Sequence, residues 1–209
     1  MDHTQNPVSV RTEVYQFRVY LRDISPMIWR RLLLRSDHTL ADLHNTIQIT
    51  FGWTDTHLHC FTHRCRDYGI PQIGGPHYTA DARDIRLNDL TLRIRERFIY
   101  EYDFTDGWIH EIRLEQRLLL DKEHTYPVCT GGARAGPPED CGGAWSYLRL
   151  RQNYHPFYIT ERLTEILQDK LAEVDREEFL KLVYWAGCDH FDRRAVNQRL
   201  KQCCIGNGE

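Results

Sequence analysis

From Val14 to Arg22 apolar and polar residues alternate, putting Tyr15, Phe17, Val19 and Leu21 on one face and Arg18, Tyr20 and Arg22 on the other. A period of two predicts a half-buried strand. A second strand from Ile28 to Arg35 follows the turn at Ser25-Pro26, so the two form a hairpin. The period then lengthens. Leu40, Leu43, Ile47 and Phe51 recur at helical spacing, with Thr39 at the cap, Asp42 in the first turn and Gly52 just past the end. These positions predict an amphipathic helix lying on the sheet.

Alternation returns over Leu58 to Thr62, and again over Phe98 to Phe104 and Trp108 to Leu120. The prolines and glycines from Tyr68 to Ala82 predict a loop, and Leu87 to Leu92 a short helix. A three-residue turn, Thr105-Asp106-Gly107, keeps the apolar face of the second hairpin together, pairing Phe104 with Trp108, Tyr102 with His110, Tyr100 with Ile112 and Phe98 with Leu114. Gly107 is then expected in the left-handed conformation. Glycines and the adjacent Pro137 and Pro138 predict an irregular loop over 128–147. Beyond it the pattern is helical. Leu163, Ile166, Leu167 and Leu171 mark one helix; Asp175 and Glu178 suit a capping box for a second containing Phe179, Leu182, Val183 and Ala186; Asp192 caps a third through Val196 and Leu200. The expected class is α+β, with a flexible tail at 1–12 and one domain over 13–209. That domain comprises a mostly antiparallel sheet with a packed helix (13–127), the loop (128–147) and a helical part (148–209).

Four ordered motifs are similar to those of one family: Trp29-Arg30-Arg31; Phe51-Gly52-Trp53 followed by His57-Leu58-His59-Cys60-Phe61; Tyr102-Asp103-Phe104-Thr105-Asp106-Gly107-Trp108-Ile109-His110; and Pro137-Pro138-Glu139-Asp140-Cys141-Gly142-Gly143. From about Val14 to about Leu200 the chain resembles the plasmid pRiA4b ORF-3-like proteins. That family occurs on plasmids, on transposable elements and in bacterial and archaeal chromosomes, and its biochemical role is not established. The resemblance therefore implies a genomic context, in which an accessory or binding module works with nucleic acid or with a protein of a mobile element. Thr105 stands where the family usually has glycine, so the turn there is expected to differ.

Composition adds limits. The 209 residues are 41% hydrophobic, enough for a sizeable core. No apolar run reaches the roughly 18 to 20 residues of a membrane span, and Met1 to Pro7 lacks the basic and apolar regions of a signal peptide, so a cytoplasmic location is expected. The formal net charge is -3, which argues against wholesale polyanion binding. Only Lys122, Lys170, Lys181 and Lys201 are lysines, so 23 of the 27 basic residues are arginines, suited to carboxylate or phosphate recognition. Seven cysteines, an odd set without an export signal, point to free thiols or a metal site in preference to a disulfide framework.

The strongest chemical signal is the histidine-rich strand. His57 and His59 fall on one face, roughly 6 to 7 Å apart, as an H-x-H pair for zinc or a related ion. His110 is the first candidate for a third ligand, with Asp103, Asp106, Cys129 and Cys141 as others. A metal-dependent, hydrolase-like enzyme would use this set beneath the loop that carries Cys129, Pro137, Pro138, Glu139, Asp140 and Cys141. The plainer reading has the histidines hydrogen-bonded among aromatics and the loop as a rigid cover. A separate expectation concerns the first hairpin, where Arg18, Tyr20, Arg22, Trp29 and Arg31 share an outward face suited to phosphate contacts and base stacking. The phosphate-loop pattern and RNP-type spacing are both absent.

Overall fold

The computed structural model describes residues 12–168 and 175–206. Strands β1 (Glu13–Leu21), β2 (Trp29–Arg35), β3 (His59–His63), β4 (Arg66–Gly69), β5 (Ala80–Asp81), β6 (Arg97–Tyr102), β7 (Trp108–Leu119) and β8 (Val128–Ala133) build one eight-stranded sheet. Their order is β5-β4-β3-β6-β7-β1-β2-β8, antiparallel throughout except between β4 and β5. Helices α1 (Leu40–Phe51), α2 (Gly143–Asn153), α3 (Pro156–Gln168), α4 (Arg176–Gly187) and α5 (Arg193–Gly206) complete an α+β fold.

The first helix forms where its sequence pattern places it. Thr39 and Asp42 make a reciprocal capping box, and Gly52 ends the helix at φ 84°, a left-handed angle that costs glycine little. Leu40, Leu43, Ile47 and Phe51 are buried with Phe17, Val19, Leu32, Leu34, Ile112 and Leu114 of the sheet. Each such side chain contributes roughly 1.5 to 3 kcal/mol of burial. The helical part meets the sheet at its β8 edge, where Asn197 of α5 bonds both the amide and the carbonyl of Cys129.

Five local expectations are corrected. The second hairpin pairs Tyr102 with Trp108, Tyr100 with His110 and Phe98 with Ile112, two residues from the expected register. The faces survive, because a shift of two preserves side-chain parity. Asp103 causes the shift: its carboxylate accepts the amides of Thr105 and Asp106, and its carbonyl accepts that of Gly107, closing a five-residue turn with Gly107 at φ 65°. Residues 87–91 form hydrogen-bonded turns, not a helix, and the expected loop at 68–82 holds the ends of β4 and all of β5. Glycine-rich as it is, Val128–Ala133 is an edge strand and α2 already begins at Gly143, so the irregular loop shrinks to 134–142. Asp175 caps α4 through the Glu177 amide, while Glu178 pairs with Arg162 and closes no capping box. Residues 1–11 of the expected tail, and Leu171, lie outside the described residues.

Candidate functional site

Three of the four motif segments meet around Tyr102. Trp53 stacks on its ring at 5.0 Å, His57 meets the ring edge-on at 5.8 Å, and Trp108 is its cross-strand partner. Its hydroxyl donates to Glu139 Oε1 at 2.6 Å and accepts the Thr56 amide. Glu139 also accepts the amide and hydroxyl of Thr54, Pro137 O accepts the Trp53 indole N–H, and the Gly142 amide donates to Asp106. Six hydrogen bonds thus tie the 134–142 loop to the residues after α1 and to the β6–β7 turn. Cys141, in the same loop, is a poor nucleophile: burial first, and Asp106 after it, push its thiol up to about 12.

One strand position away, Tyr100 organises a buried chain. Gln48 accepts the Asp55 amide and donates its own N–H to the Tyr100 hydroxyl oxygen. That leaves the Tyr100 O–H to donate to His44 Nδ1 at 2.8 Å, and His44 Nε2–H to donate to Asp55 Oδ1 at 2.8 Å. Burial works against the Asp55 carboxylate, but the hydrogen bond from the His44 ring outweighs it and lowers its pKa. His59 stacks on His44 with ring centroids 3.6 Å apart. Burial, followed by the neighbouring His44, holds its pKa at about 3, so it is neutral at ordinary pH, and its Nε2 is sealed without a partner.

The three expected metal ligands are not brought together. His57 lies before β3 and faces Asp103, with Nδ1 3.7 Å from Oδ1, and Asp140, with Nε2 3.1 Å from Oδ1 but poorly aligned. His59 belongs with His44 and Asp55. His110 is fully buried among Phe51, Trp53 and Tyr100, with Nδ1 3.2 Å from the Trp108 carbonyl and its pKa at about 3 through burial. Asp106, another of the expected ligands, accepts the Gly142 amide instead. Two groups have ligand atoms within 4.8 Å of one another: His44, Asp55 and His59, and His57, Asp103 and Asp140. Their nitrogen and oxygen donors suit zinc or a similar ion. His44 was missed by sequence reasoning, although its spacing from Leu40 and Ile47 places it on the buried stripe.

On the opposite face of the sheet the first hairpin gathers Arg18, Tyr20, Trp29 and Arg31, with Arg22 exposed at its end. Cross-strand pairing extends the set: Arg97, Arg113, Arg18 and Arg31 stand in one row across β6, β7, β1 and β2. Four strands at about 4.8 Å spacing set its ends roughly 14 Å apart. The next row holds Tyr20 beside Trp29, whose ring lies within 5.2 Å of the Arg18 guanidinium and 5.5 Å of that of Arg31. At the end of the arginine row Gly131 makes room for that ring, since a Cβ there would come within 3.3 Å of it. Glu115 pairs with Arg31 and Glu111 with Arg97, while Arg18 and Arg113 have no carboxylate partner among the described residues.

The family model described as plasmid pRiA4b ORF-3-like protein matches residues 13–199. The uncharacterized protein y4hQ of Sinorhizobium fredii is 28% identical over 185 residues, covering 88% of this chain and 86% of its own length. The crystal structure of MM3350, a protein of unknown function from Methanosarcina mazei Go1, superposes with a TM-score of 0.63 at 29% identity, over 88% of this chain and 97% of that one.

Proposed function

The chain belongs to the plasmid pRiA4b ORF-3-like family, and on that premise we propose that it is a non-enzymatic module that binds the phosphate backbone of nucleic acid through the outer face of its sheet. The arginine row carries this reading. Like charges opposite one another across strands repel, yet Arg97, Arg113, Arg18 and Arg31 are consecutive cross-strand neighbours, and among the described residues only two glutamates on β7 pair with members of the row. A polyanion running across the strands would relieve that repulsion, with Tyr20 and Trp29 beside it to stack on bases. Among the described residues no helix is long and apolar enough to cross a membrane. Fluorescence anisotropy with labelled single- and double-stranded DNA and RNA at about 50 mM salt tests the proposal, because counterion release still favours binding there. Binding that Arg18→Gln and Arg113→Gln each weaken supports it; no binding to any of the four sinks it and leaves a protein partner.

One observation favours a second reading, a divalent-metal centre of hydrolase type. The sealed, unpartnered Nε2 of His59 lies beside His44 and Asp55, a set that would complete a three-ligand site. Metal analysis of protein purified without chelator decides it. Stoichiometric zinc that His59→Ala removes supports the centre, and metal-free protein whose Tm ignores added zinc rejects it.

A further inference from the structure

Among the described residues Arg30 is the largest charged side chain to be fully buried, being only 1% exposed. Its flat guanidinium is sandwiched between the rings of Phe51 and Phe191, 4.7 and 3.9 Å from their centroids. Stacking covers both faces, so hydrogen bonds form only around the edge. Nε donates to Thr50 O, and Nη1 to the carbonyls of Trp29 and Ala133. All three acceptors are neutral. Burial lowers the Arg30 pKa to about 10, which leaves it charged at neutral pH, and the titratable groups that act on it, Cys129 and Tyr184, raise it less than burial lowers it. A buried cation is ordinarily paired with an anion; here none is present among the described residues.

The remaining donor has an outlet. Nη2 has no hydrogen-bond partner among the described residues. Arg30 lines a cavity of about 260 Å³ between the end of α1, the 135–136 backbone and the start of α5. Arg199 of α5 lines the same cavity and makes no ion pair among the described residues. His190 and Asp192 complete its polar rim, with Asp192 Oδ1 already accepting the Ala195 amide.

We propose that this cavity is a binding site for a small oxyanion of the phosphate class, held by the free edge of Arg30 and by Arg199. Two arginines against one engaged carboxylate leave the rim net positive, and the in-plane Nη2 hydrogens suit the tetrahedral oxygens of a phosphate. The site faces the α1 side of the sheet, away from the arginine row, so it stands or fails independently of nucleic-acid binding.

The test is calorimetric titration of the full chain, dialysed free of phosphate, with inorganic phosphate at constant ionic strength, in parallel with thermal denaturation. One saturable site is expected, with Tm rising as phosphate exceeds its Kd. Arg199→Gln, an exposed substitution that spares the core, is expected to weaken binding about tenfold, the worth of one charge-assisted hydrogen bond. Arg30→Met should abolish binding, and if that variant fails to fold the Arg199 result decides. Glycerol phosphate distinguishes the sources: affinity equal to inorganic phosphate supports a phosphomonoester ligand, and weaker affinity supports free phosphate. No saturable binding, an unchanged Kd in Arg199→Gln, or equal affinity for acetate would overturn the proposal.

Discussion

Tyr102 donates its hydroxyl hydrogen to Glu139 at 2.6 Å, and this bond joins the end of β6 to the centre of the 134–142 loop. Burial, with Glu139 second, raises the Tyr102 pKa, so the phenol stays protonated and remains the donor. Tyr102→Phe is expected to cost about 1.5 to 3 kcal/mol, since the acceptor is charged. Urea midpoints measure it; a loss below about 0.5 kcal/mol would show that Thr54 alone holds Glu139, given the net worth of ordinary hydrogen bonds.

Gly107 occupies φ 65° in the turn that Asp103 closes. Gly107→Val forces a β-branched residue into that region and should destabilise the fold by about 1 to 3 kcal/mol. Gly107→Asn should cost less, because asparagine tolerates left-handed angles. Equal stability of all three proteins contradicts the turn geometry.

His59 and His110 are held at about 3, against an ordinary 6.5, by burial. Between those values the unfolded chain binds more protons than the folded one. Stability is therefore fully present above pH 6.5 and is lost as pH falls toward 3. Each histidine contributes a slope of up to about 1.4 kcal/mol per pH unit in that window. Urea unfolding of the native protein and of His110→Leu at about pH 5 and about pH 7 tests this, with a shallower pH dependence expected for the variant. Parallel curves would mean that His110 takes up its proton as readily in the folded protein as in the unfolded chain.

Maleimide labelling should discriminate the thiols. Exposed Cys65 should react about tenfold or more faster than Cys141, whose thiolate is suppressed by burial. Comparable rates at neutral pH would indicate an opened loop.

The regular elements were legible because their periods are unambiguous: β1, β2, α1 and both strands of the second hairpin lie within a residue or two of expectation. The turn register was not, because Asp103 acts through side-chain bonds that a face pattern does not encode. Arg30 stands between Ile28 and Leu32 on the buried face of β2, a placement its residue type alone argues against. His57 and His59 were expected to share a face of one strand; β3 begins only at His59, so they part company. The pairing register shows that Arg97 and Arg113 continue the row of Arg18 and Arg31, which no pattern along the chain encodes.

The central claim, binding of a polyanion along that row, is tested most directly by the salt dependence of nucleic-acid affinity. Log K should fall linearly with log salt, and the slope should decrease by about one unit in Arg113→Gln, with one phosphate contact removed. Tyr20→Ala should instead cost about 1 to 3 kcal/mol with the slope nearly unchanged, as stacking releases few ions. An Arg113→Gln slope equal to that of the native protein would contradict the account.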